Sequence, residues 1–127
     1  MSDFRTDLGK VRGQGAAKGG VHEFIAHRVS AIVLALLLPF FLYGLITALH
    51  QGYPGLIAWV ASPVGAFVLL GFLTAGLYHG RLGINEVISD YVQNAGTRSI
   101  FMLFNTLASF AFWLVGVLAI LKLWLGS

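Results

Sequence analysis

The chain has 127 residues, 57% of them hydrophobic and 10% charged, with a net charge of +3 and a mean hydropathy of +0.83. A water-soluble domain of this length cannot bury that much apolar surface, so an ordinary soluble fold is excluded and lipid is the natural solvent. The absence of cysteine excludes disulfides, thiolate metal sites and iron–sulfur ligation by this chain. The basic residues gather near one end, which is the pattern of membrane orientation and not of a nucleic-acid surface.

Residues 1–28 form a polar, glycine-rich arm, with "GQGAAKGG" at 13–20, and are expected to be mobile or ordered by a partner. The following apolar run starts too late and is too long for a signal peptide, and Asp3 and Asp7 argue against a mitochondrial transit peptide. Residues 29–127 then read as an all-α integral membrane domain with three transmembrane helices. A helix needs about 20 apolar residues to cross a bilayer. The first run is Val29–Leu49, with Pro39 expected to bend it. The second is Leu56–Tyr78, or begins nearer Pro63, and its helix continues to about residue 90, giving a span over 56–90. The third is Ile100–Leu121, giving a span over 100–122. None of the three runs contains Lys, Arg, Asp or Glu, and their continuity argues against a strand barrel.

Charge sets the direction. Arg5, Lys10, Arg12, Lys18 and Arg28 precede the first span, the connector 50–55 has no Lys or Arg, the connector 80–99 holds Arg81 and Arg98, and the tail has Lys122 alone. The positive-inside rule puts the N-terminus in the cytoplasm and the C-terminus in the periplasm, and Trp59 and Trp124 then suit an outer interfacial belt.

The second span ends in "LYHGRLGINEVISDYVQN", residues 77–94. At 100° per residue, positions 76, 83, 86 and 90 fall within about 60° of His79. Gly76, His79, Gly83, Glu86 and Asp90 therefore share one stripe, with Gly80 adjacent. A histidine on a strip cleared of side chains suits a flat ligand such as haem, bound to iron through an imidazole nitrogen. Close helix packing around the glycines, with a histidine hydrogen-bonded to a neighbouring helix, is the commoner use of this pattern, and periodicity leaves both open. The chain offers no obvious second axial ligand. His22 and His27 precede the first span and His50 lies at the opposite face, so a six-coordinate haem requires a histidine from another polypeptide. Asp90 and Tyr91 lie about 16–18 Å along the helix from His79. A phenol that donates to a carbonyl, beside a carboxylate near the aqueous edge, suits quinone reduction; interfacial tyrosines and helix-ending aspartates also occur without any such role.

The segments "GGVHEFIAHRVSAIVLAL" (19–36) and "HGRLGINEVISDYV" (79–92) resemble the small hydrophobic membrane anchor of succinate dehydrogenase, respiratory complex II. The resemblance covers the entry to the first span, the end of the second and the connector after it. It implies that His79 is one axial ligand of haem b, the other coming from a companion cytochrome b anchor subunit. It implies that Tyr91 hydrogen-bonds a ubiquinone carbonyl, with Asp90 its acidic neighbour. His22 and Arg28 match positions at the entry to the first span, where they would support a haem propionate or the quinone site. An iron–sulfur subunit and a flavoprotein subunit would carry succinate oxidation on the cytoplasmic side of a bacterial inner membrane, with lipid around the anchor and no nucleic acid bound. Two departures stand out: Glu86 lies on the stripe, and Gln93 replaces the basic residue common after Asp-Tyr-Val, which argues against a proton relay there. A fumarate reductase-type quinol anchor, a small transport or assembly protein and a purely structural membrane protein without haem or quinone are the alternatives.

Overall fold

The computed structural model describes Thr6, Leu8 and residues 18–126. The rest of the polar arm lies outside the described residues. Four helices account for nearly everything from residue 18 onward: α1 (Lys18–His50), α2 (Gly52–Ala61), α3 (Pro63–Tyr91) and α4 (Ala95–Leu125). Among the described residues three helices are long and apolar enough to cross a membrane, Gly20–His50, Pro63–Tyr91 and Ala95–Leu125.

Each boundary has a local cause. The first helix starts at Lys18, inside the stretch assigned by sequence to the polar arm, and it carries Glu23, His27 and Arg28 as ordinary helical residues. It continues through Pro39 as one helix. The proline removes the hydrogen bond to the Ala35 carbonyl without ending the helix, as membrane helices allow. The chain turns at Gln51 and Gly52, where Gly52 has φ 71°, a left-handed conformation open to glycine at little steric cost.

The expected second span over 56–90 is divided. Residues 52–61 form α2, which at 1.5 Å per residue is about 15 Å long and too short to cross. Ser62 breaks the helix with ψ 148°, because a residue before proline is driven out of the α region. The Ser62 hydroxyl then caps α3 by accepting from the Gly65 amide at 3.0 Å, and Pro63 takes the first helical turn, where no amide hydrogen is needed.

Within the stretch 80–99 only Val92–Asn94 is non-helical, because α3 remains helical through "HGRLGINEVISDY", about as far as the sequence suggests. Asn94 caps α4 by accepting from the Thr97 amide at 3.1 Å. Arg98 donates to the carbonyls of Val92 at 2.9 Å and Gln93 at 3.2 Å, closing the turn.

The three long helices lie in a row. α3 packs against both α1 and α4, while the backbones of α1 and α4 make no close approach; α2 bridges all three at one end. A closed three-helix bundle would have a central core, and this arrangement has only a thin one: Ala48, Ala66, Val68 and Leu82 are its buried apolar residues. Close approach explains two glycines. A Cβ on Gly44 would sit 2.5 Å from the Trp59 indole, which lies against α1 between α2 and that glycine. A Cβ on Gly71 would meet Leu37 at 2.9 Å, so Gly71 lets α3 approach α1. Phe41 and Phe72 stack at 4.3 Å across the same seam.

Polar side chains join α3 to α4. Asn105, only 8% exposed, donates to the Arg81 carbonyl at 3.0 Å and to the Asn85 side-chain oxygen at 2.8 Å. Arg81 donates to the Thr106 hydroxyl at 3.2 Å, and the Trp113 indole donates to Thr74 at 3.0 Å. In lipid, where no water competes, such bonds between helices hold them in register.

Candidate functional site

His79 lies in the middle of α3, partly buried, and faces α1. Its Nδ1 is 3.0 Å from the Ser30 hydroxyl oxygen, the only side-chain hydrogen bond linking α1 to α3 among the described residues. Ser30 is 6% exposed and also donates to the His27 carbonyl at 2.9 Å. The His27 ring stacks on His79 with centroids 4.3 Å apart and planes 28° from parallel. His27 Nδ1 in turn lies 3.4 Å from a Glu86 carboxylate oxygen. So two members of the stripe, His79 and Glu86, meet one segment of α1, residues 27–30. The alternative of a histidine hydrogen-bonded to a neighbouring helix is therefore realised at one ring nitrogen.

The other nitrogen, Nε2, makes no hydrogen bond to a described residue. No buried side-chain nitrogen or oxygen is left without a partner among the described residues, so Nε2 opens toward the chain surface. His27 covers a face of the ring, while the Nε2 lone pair lies in the ring plane, where stacking leaves it free. The glycines differ in surroundings. Gly76 is packed near Leu34, with a built Cβ 3.8 Å from that side chain, whereas a Cβ on Gly80 or Gly83 would meet nothing within 4 Å. One free imidazole nitrogen beside two uncovered glycines fits a planar metal-bearing group approaching from outside the chain. No group of three or more His, Asp or Glu that could hold a metal ion converges among the described residues.

The other residues singled out by sequence are more scattered. Asp90 lines a polar groove of about 430 Å³ with Glu23, Asn85, Glu86 and Ser89. Tyr91, the last residue of α3, stands outside it and is 83% exposed. His22 lines a different groove, about 750 Å³ and mainly apolar, between α1 and α3, with Val29, Val33, Phe67 and Tyr78. The Arg28 guanidinium lies over the Phe24 ring, 5.0 Å from its centroid. The structure thus brings His79 and Glu86 together through α1, but does not join Asp90 to Tyr91 in one pocket, or Arg28 and His22 to Asp90. Ser30 and His27 are the site residues that sequence reasoning missed. The signal was present: both occupy "AHRVS", at the i and i+3 spacing that puts them on one helix face.

Against this geometry the comparisons with known proteins are decisive. Residues 2–121 match the family of the succinate dehydrogenase/fumarate reductase transmembrane subunit. The chain belongs to this family. A succinate dehydrogenase hydrophobic membrane anchor subunit of Rickettsia conorii is 32% identical over 92 residues, covering 72% of this chain and 73% of that protein. The protein of that name from Paracoccus denitrificans is 30% identical over 115 residues, 91% of this chain and 88% of its own length. A third relative, from Rickettsia bellii, is 32% identical over 91 residues. The family match covers α1 to α3, most of α4 and every residue of the site from His22 to Asn105, so the polar cluster lies inside the matched length and not in an appended segment.

Proposed function

We propose that the chain is the small membrane anchor of a bacterial succinate:ubiquinone oxidoreductase, with His79 as one axial ligand of haem b and Tyr91 and Asp90 part of the ubiquinone-reduction site. The observation that carries this reading is the free Nε2 of a histidine whose other nitrogen is already bonded, next to glycines with nothing over them. Bound haem would supply a one-electron acceptor between the iron–sulfur centres of a partner and the quinone. His79 would hold the haem iron through Nε2, and a companion cytochrome b anchor subunit would supply the second ligand. Tyr91 donates a hydrogen bond to a quinone carbonyl, and Asp90, one residue earlier and in the neighbouring groove, offers a carboxyl that can relay protons toward the quinone as it is reduced. The exposure of Tyr91 supports a pocket completed by another subunit, because a phenol on a helix end has no enclosure of its own.

The N-terminus and the α3–α4 turn face the cytoplasm, and the α1–α2 turn and C-terminus face the periplasm, as the basic residues before α1 and in "NAGTR" direct. In that orientation Tyr91 and Asp90 lie on the cytoplasmic side, where a peripheral iron–sulfur subunit and flavoprotein dock. His22 and Arg28 lie toward the same side and would support a haem propionate or the quinone pocket. The test is purification in mild detergent through a tag on this chain. Co-purification with a flavoprotein, an iron–sulfur protein and a second membrane subunit, with a b-type reduced-minus-oxidised spectrum, is expected. A chain that purifies without those proteins and without haem contradicts the reading.

A further inference from the structure

Ser30 stands between two groups that cannot both receive its single proton. The His27 carbonyl only accepts, at 2.9 Å, while His79 Nδ1 either donates or accepts, at 3.0 Å. If the hydroxyl donated to Nδ1, its oxygen would face the carbonyl oxygen with no hydrogen between them. If it donates to the carbonyl, its lone pair receives Nδ1–H and both contacts are satisfied. The geometry points to a fixed tautomer: Ser30 accepts from Nδ1–H of His79, leaves the lone pair on Nε2, and is the positioning residue for the iron-binding nitrogen.

Three features make this more than an incidental contact. Ser30 is buried, so water does not readily take over as acceptor. It sits on a different helix from His79, so the bond fixes the ring to α1 as well as to its own backbone. The His27 ring stacked on His79 restricts rotation about the remaining torsion. An acceptor on Nδ1–H makes Nε2 a stronger donor to a metal, and a stronger donor favours the oxidised metal. Removing the acceptor therefore weakens retention of the group and moves its midpoint potential in the positive direction.

This inference rests on the reading of His79 as ligand, and the experiment separates the two. The assembled complex is prepared in its membrane with the full chain carrying Ser30→Ala, Ser30→Thr or His79→Leu. Haem is counted per copy of this chain, so a poorly accumulating variant is still read, and the haem absorbance is titrated against potential. Ser30→Ala is expected to weaken haem retention, on the order of 10–100-fold, and to shift the potential positive; Ser30→Thr, which keeps the hydroxyl, is expected to restore both. If Ser30→Ala has the wild-type potential and haem content while His79→Leu has lost its haem, the role of Ser30 is overturned and His79 stands. Equal changes in Ser30→Ala and Ser30→Thr also overturn it, because they mark packing between α1 and α3 and not an acceptor. Wild-type haem in His79→Leu overturns the ligand reading and Ser30's role with it.

Discussion

Tyr91 ends α3 with its ring almost fully in the open, while Asp90 one residue earlier turns into the groove shared with Glu23 and Glu86. Consecutive helical residues point about 100° apart, so acid and phenol address different neighbours even though they are adjacent in sequence. On the proposed reading, the phenol is the group of this chain that would meet the quinone. Tyr91→Phe is expected to lower quinone reduction about tenfold, the worth of one hydrogen bond to the reacting carbonyl, while succinate-to-dye electron transfer persists. Equal loss of both activities would remove the quinone role. Helical arithmetic was enough to place His79 and Glu86 on one stripe, and both do face the same segment of α1. It could not identify that segment, because periodicity states the direction a side chain points and not which helix it meets. The contacts of Ser30 and His27 with that stripe therefore became visible only in three dimensions, although their shared helix face was legible. Glu86, which looked out of place on the stripe, has His27 3.4 Å away, so its own chain provides a cationic partner when that histidine is protonated.

The helices hold together by two different seams. Between α1 and α3 the contact is largely apolar, with Gly71 against Leu37 and the Phe41–Phe72 stack, and the Ser30–His79 bond near one end. Between α3 and α4 it is an amide and hydroxyl ladder centred on Asn105. Replacing Asn105 with Leu leaves the Asn85 amide without its donor and removes the bond to the Arg81 carbonyl. The expected cost is about 1 kcal/mol, from the range measured for polar contacts between membrane helices, read as a lower midpoint when the purified complex is unfolded by rising SDS in mixed micelles. An unchanged midpoint would show that Asn105 does not join the helices. The start near Pro63 was legible because its chemistry is local, whereas Asn105, a lone amide in an otherwise apolar run, was not singled out from the sequence. The start of α1 was not legible. Its first turns are polar and rich in glycine, and what keeps them helical includes contacts such as His27 with His79 and Glu86, which no local propensity records.

As a whole the molecule is a row of three membrane helices with α3 in the middle, and a row cannot cover itself. Its broad faces carry large exposed apolar side chains, among them Phe40, Phe67, Phe104 and Phe112, together with shallow grooves between neighbouring helices. Lipid covers such faces readily. It does not suit Nε2 of His79, nor the carboxylates of Glu23, Glu86 and Asp90, which are costly in hydrocarbon without partners. The number of spans followed from composition and length, because twenty apolar residues in lipid must be helical. Their side-by-side order did not, since nothing in the sequence forbids α1 from meeting α4. That open arrangement is compatible with the proposed shared site, in which one imidazole would be offered to a group whose second ligand lies in another chain. The direct test is the reduced-minus-oxidised spectrum of the complex purified through this chain, comparing wild type with His79→Leu at equal amounts of inserted subunit. Loss or displacement of the b-type bands in the variant is the predicted result; bands identical to wild type would contradict it.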